Sequence, residues 1–170
     1  MGASERIAAA VVAAGISAIC GTPVADASDD PAINGTFTVQ SNGQWAMTND
    51  VYRDEAVVRS TWTVSTSCTT ILDCTGNVTS DQGWTAPINL VGNEWHVLHT
   101  VKNWEPCSDG TFLDGSQLFR FYPVDDRGGL ALHGSSVYAG TDRTTAPSGG
   151  CGINTPLVIT LPLRLNQTSG

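Results

Sequence analysis

The sequence predicts one exported all-β domain, an antiparallel barrel of about eight strands with lipocalin-like, up-and-down connections. Three observations predict it. Beyond residue 28, apolar and polar residues alternate with a period of two over short runs, as in strands with one buried face. Gly, Asn, Asp and Pro clusters interrupt those runs at short intervals, and no run has a helical period. Four cysteines remain once the leader is set aside, an even set suited to an oxidising compartment.

The leader comes first. Met1 to Arg6 is short and polar, and Ile7 to Ile19 is an unbroken run of apolar and small residues. That run is a signal-peptide core, since spanning a bilayer takes roughly 20 apolar residues. Ala25-Asp26-Ala27 follows Pro23 and places small residues where a signal peptidase reads, so cleavage is expected after Ala27. The expected organisation is a leader, 1–27, and one β domain, 28–170, with no membrane span in the mature chain. Lipidation at Cys20 is disfavoured because Ile19, not a small residue, precedes it.

The expected strands follow in order. Phe37 and Val39 mark the first, and Trp45 and Met47 the second, with Ser41-Asn42-Gly43-Gln44 between them as a tight hairpin turn. Ala56, Val58, Trp62 and Val64 share one face; so do Trp84, Ala86, Ile88 and Leu90, and then Trp95, Val97, His99 and Val101. Phe119 and Phe121 oppose Leu118, Tyr122 and Val124, which implies a strand buried on both sides or covered by a loop. Leu157 to Leu165 is the clearest alternation, with Pro162 pointing to an edge or a bulge. Pro106 to Ser116 and Thr144 to Pro156 are the least regular stretches. Alternation alone fits a sandwich as well as a barrel; short sequential turns favour the barrel.

Cys68, Cys74, Cys107 and Cys151 allow three pairings. The close spacing of Cys68 and Cys74 favours a local bridge, which leaves Cys107 with Cys151. Zinc is the other use of four cysteines, but the dispersed pair lacks the usual short spacing. A net charge of −8 with one lysine, Lys102, gives no basic stripe for nucleic acid.

Several stretches have a family likeness: Gly35-Thr36-Phe37-Thr38-Val39, Asn42-Gly43-Gln44-Trp45, Arg59-Ser60-Thr61-Trp62, Ser80-Asp81-Gln82-Gly83-Trp84, Asn103-Trp104-Glu105-Pro106-Cys107, Phe119-Arg120-Phe121-Tyr122-Pro123 and Pro147-Ser148-Gly149-Gly150-Cys151. They resemble a group of small secreted mycobacterial proteins of unassigned function. The resemblance implies export and a mycobacterial or related actinobacterial source, and it supplies no catalytic residues.

No motif names a reaction. Gly134-Ser135-Ser136-Val137-Tyr138 lacks the second glycine of a nucleophile elbow, and a triad of Ser135, His133 and Asp142 rests on no spacing rule. His96 and His99 would face opposite sides of a strand and so do not converge on a metal. The Asp-Gly pairs at 109, 114 and 125–129 read as turns rather than calcium loops, and no two of Glu55, Glu94 and Glu105 are selected as a glycosidase pair. No cofactor is indicated. The five tryptophans stand out: Trp62 and Trp95, with His99, are candidates to line a cavity, and Trp104 is a candidate recognition residue or a cap on the core.

Three functions remain open: a non-enzymatic protein of the extracellular space or envelope, a barrel carrying a small hydrophobic ligand, and a hydrolase with an unrecognised site. Partners are accordingly a hydrophobic small molecule or an envelope component. Amino-terminal sequencing of the exported protein should begin at Ser28; a diacylglyceryl modification on Cys20 would refute the leader assignment.

Overall fold

The computed structural model describes residues 30–131 and 134–168; the leader, its cleavage position, Cys20 and His133 lie outside them. The strands are β1 (Asn34–Ser41), β2 (Met47–Thr48), β3 (Val51–Tyr52), β4 (Val58–Thr70), β5 (Asp73–Ser80), β6 (Thr85–Val91), β7 (Glu94–Pro106), β8 (Phe112–Pro123), β9 (Val137–Thr145) and β10 (Val158–Gln167). From β4 to β10 each strand pairs antiparallel with the next, and β1 lies between β4 and β10. The sheet is therefore a closed eight-stranded up-and-down barrel, the architecture that the short sequential turns favoured. β2 and β3 form a small hairpin that pairs with β10 where β1 no longer reaches, Met47 opposite Thr160.

Every second residue points inward. Phe37, Trp62, Val64, Val78, Ile88, Trp95, Val97, Phe121 and Leu165 are all nearly or fully buried, and the interior is packed with side chains rather than hollow. Two inward glycines mark places where the neighbouring strand comes unusually close. A Cβ on Gly76 would meet Ser65 O at 2.0 Å, and one on Gly140 would meet Arg120 O at 1.8 Å, so only glycine lets the neighbouring strand approach there.

Several expectations are corrected. Asn42-Gly43 is not a hairpin turn: Asn42 has φ −86° and caps a 3-10 turn, Gly43–Trp45, by accepting a hydrogen bond from Gln44 N. β1 pairs with β4 and β10, not with β2. Gly43 is needed because a Cβ would strike Glu55 O at 2.1 Å. Trp45 consequently leaves the core and is 63% exposed, and Ala56 and Val58 are exposed as well. Pro162 lies in neither an edge strand nor a bulge. It stands where the neighbour of β10 changes from β1 to β2. There its carbonyl accepts from Asn42 N at 2.8 Å, while Asn42 O takes its donor from Trp45 N at 3.3 Å. The 3-10 turn thus supplies the N–H that proline lacks. Within Pro106–Ser116, expected to be irregular, Phe112 to Ser116 already belong to β8, opposite the end of β7.

In the doubly apolar stretch of β8, Phe119 and Phe121 face inward while Leu118 and Tyr122 are half-buried on the other face, and the β8–β9 connection pairs back alongside the strand end, with Val124 bridged to Leu130 and Ala131 N bonded to Pro123 O at 3.0 Å.

The disulfides are Cys68–Cys74 and Cys107–Cys151. They close opposite ends of the barrel: the first locks the β4–β5 hairpin tip, and the second ties the β7–β8 hairpin to the β9–β10 connection. Loop-closure entropy scales with the length enclosed, 6 against 44 residues of separation. Replacing Cys107 and Cys151 by alanine should therefore cost about 4 kcal/mol, and replacing Cys68 and Cys74 about 2 kcal/mol, in urea unfolding of the oxidised protein. The reverse order would show that native packing, not chain entropy, dominates.

Candidate functional site

The barrel interior is apolar at the Cys68 end and polar at the Cys107 end, and the polar end gathers the described chemistry. Inward positions of β1, β7, β8 and β9 there carry Ser41, His99, Gln117 and Asp142. Asp142 is 2% exposed. Its carboxylate accepts from Ser41 Oγ at 2.7 Å and from Gln117 Nε2 at 2.7 Å. Gln117 Oε1 lies 2.6 Å from His99 Nε2. A carboxylate accepts only, so the amide nitrogen must face Asp142; the amide oxygen then faces His99, whose Nε2 carries the hydrogen. Burial pushes the Asp142 carboxyl above its usual range, against the opposing pull of Ser41, Gln117 and the nearby His99.

Rings stack above this relay. Trp84 lies 4.3 Å from His99 at 12° between planes, and Phe119 is 6.0 Å from His99 at 5°. Trp104 follows a register shift in β7 between Val101 and Glu105 and is half-buried on that strand, not on a loop. It covers the inner side of Gly115, where a Cβ would meet its Cδ2 at 2.9 Å and Thr144 Cγ2 at 2.7 Å. Trp104 thus lies across the mouth at the polar end.

Of the sequence candidates, Trp62 and His99 come together around Phe119, whereas Trp95 lies further toward the Cys68 end. Trp62 is wholly buried, with Phe119 edge-on at 4.8 Å and Trp84 at 5.3 Å. Its Nε1 is a buried side-chain atom without a hydrogen-bond partner among the described residues. Trp95 is 2% exposed and forms one wall of a cavity of about 190 Å3 with Leu90, Tyr122, Leu130 and Tyr138. Burial there pushes the Tyr138 phenol up to about 12. Ser135 is spent on backbone, its Oγ lying 2.7 Å from Val124 O and 2.9 Å from Val137 O. Its supposed triad partner Asp142 is inside the barrel at the other end. His96 faces outward beside Glu94 at 3.4 Å while His99 faces in.

Sequence reasoning missed the outer surface. Trp45 and Tyr52, 63% and 73% exposed, flank an open groove of about 350 Å3 whose floor is Met47, Gly140, Thr141, Thr160 and Pro162. The signal was the length of the β1–β4 connection, which is too long for a hairpin and holds both rings.

No known protein family matches the sequence, and no curated protein matches it. Among solved structures the fold is similar to that of the monomer form of the M. tuberculosis PknI sensor domain, with a TM-score of 0.57 and 16% identity over 81% of this chain and 88% of that one. At that identity the likeness is one of fold. No helix of the described residues is long and apolar enough to cross a membrane.

Asp142 gives a pH signature. Its folded pKa lies above its ordinary value of 3.8, so the folded state binds the proton more tightly than the unfolded chain. The stability this contributes is full below the unfolded pKa and is lost as pH rises through the folded one. Asp142→Asn keeps the shape and removes the titration. Comparing urea midpoints of the two proteins, the difference should shift in the variant's favour as pH rises across that window; a difference independent of pH would refute the shift.

Proposed function

We propose that the chain is an exported, non-enzymatic recognition module that works outside the membrane and engages its partner with the outer surface of the barrel. One observation carries the reading: the interior is filled, with Trp62, Trp95, Phe119 and Phe121 at 0–4% exposure, whereas an aromatic pair stands out from the wall on the β1–β4 connection. A carrier needs an apolar cavity of roughly 300–1,000 Å3, and the cavity beside Trp95 holds about 190 Å3. Two disulfides, one at each end, suit an oxidising compartment. The leader and the resemblance to secreted mycobacterial proteins support export from such a cell, and the fold it shares with a domain described as a sensor fits recognition rather than catalysis.

Native mass spectrometry of the protein taken from its host's culture medium tests this directly. The expected mass is that of the oxidised chain alone. A lipid-sized adduct that leaves only on unfolding would overturn the proposal in favour of a carrier.

A further inference from the structure

Charge is distributed unevenly around the barrel. β1, β4, β9 and β10 contain one carboxylate between them, Asp142, and it points inward. The same four strands carry three exposed arginines, Arg59, Arg143 and Arg164. Among the described residues none of the three is in an ion pair. In a protein of net charge −8, these four strands form a cationic arc, flanked by Asp81 beside Arg59 and by Asp50, Asp54 and Glu55 on the β1–β4 connection. Its other outward side chains are largely Thr, Ser, Asn and Gln, which both donate and accept hydrogen bonds.

Register places the arginines against the aromatic groove. Arg143 is opposite Thr160, Thr160 opposite Met47, and Met47 opposite Tyr52, so one transverse row runs from the guanidinium to the exposed ring. A second row runs Arg59, Gln40, Arg164, Ala139. Beside that second row, Thr38, Gln40, Arg59 and Asn166 line an open groove of about 410 Å3, with Asp81 on its lining too. With strands about 4.8 Å apart and about 3.4 Å per residue along them, neighbouring arginines are on the order of 10–14 Å apart.

We propose that this face binds an acidic carbohydrate, a glycan bearing carboxylate or phosphate-ester groups, in a way that rests on the recognition-module reading above. A sugar ring presents an apolar C–H face to Trp45 and Tyr52, as exposed aromatic side chains require of a partner that is itself polar at its edges. The hydroxyl and amide side chains meet its hydroxyls, and Arg143, Arg164 and Arg59 take its sparse anionic groups through bidentate contacts. The arginine spacing disfavours nucleic acid, whose charges recur every few ångströms. A Thr-rich face without lysine disfavours insertion at a lipid surface.

The test titrates the oxidised exported protein with acidic oligosaccharides, namely oligogalacturonate, hyaluronan fragments and phosphorylated mannose oligomers, against neutral cello-oligosaccharides of equal length. Tryptophan fluorescence and calorimetry read binding. At least one acidic oligosaccharide should bind, more weakly as salt rises, and the neutral ones at least tenfold more weakly. Trp45→Ala and Arg143→Gln, both at exposed positions, should each reduce affinity about tenfold with an unchanged far-UV spectrum. Equal binding of neutral and acidic sugars, binding of none, or binding only to phosphatidylglycerol vesicles would each overturn the proposal. Loss of sugar binding in a protein that still flies without an adduct sinks this inference alone; a retained lipid sinks the recognition reading beneath it.

Discussion

Closure of the sheet by β10 onto β1 is the constraint on which everything else depends. An open sheet of these strands would leave two edges of unpaired N–H and C=O groups and an exposed inner face. Pairing Phe37 with Gln167 through Ser41 with Leu163 removes both edges along that seam. It also fixes how many inward side chains must fill the lumen. Phe37, Trp62, Trp95, Phe119, Phe121 and Tyr138 fill most of it, packed mostly edge to face, and glycines at 76 and 140 admit the close approach of neighbouring strands. The disulfides then secure the two ends of a structure already closed by its backbone.

The same closure explains the polar end. Where large rings run out, the lumen still has to be filled, and Ser41, Gln117, Asp142 and His99 fill it with a continuous hydrogen-bonded chain. Burying a carboxylate is costly unless its acceptor capacity is met. Two donors meet it here, and Trp104 and Trp84 lie over the group. The arrangement resembles a catalytic relay in its residue types. It differs in having its rings packed over it instead of an open cleft, so it reads as a specified, polar part of the core. On the outside wall, by contrast, aromatic and cationic side chains stand exposed, and among the described residues none of the three arginines there is in an ion pair.

Legibility varied with how local each determinant is. The inward sets of β1, β6, β7 and β10, the Trp62–Val64 part of β4 and the Phe119–Phe121 face of β8 were readable because burial on one face of a strand forces a period of two at every step. Cys68 and Cys74 were readable because six residues of separation leave few alternatives. The Asn42-Gly43 pair misled, since its preference for a hairpin was overridden by β10, a partner more than a hundred residues away that claims the edge β2 would have taken. Trp45 moved from core to surface with it. Trp104 is off the alternating pattern because a shift in register precedes it. The arginine face was invisible, for Arg59, Arg143 and Arg164 are scattered in sequence and become neighbours only when β4, β1, β10 and β9 are placed side by side.

The sequence by itself determined an all-β chain, the inward residues of most strands, an even set of cysteines and a leader-like start, because each of these follows from periodicity, spacing or composition within a short window. Tertiary structure alone decided that the barrel closes, that its lumen is full, that Asp142, Gln117 and His99 meet, and that three arginines and two exposed rings share one outer face. Those outcomes depend on which distant strands lie side by side, and that is set by the collective requirement to pair every backbone edge and fill one enclosed volume.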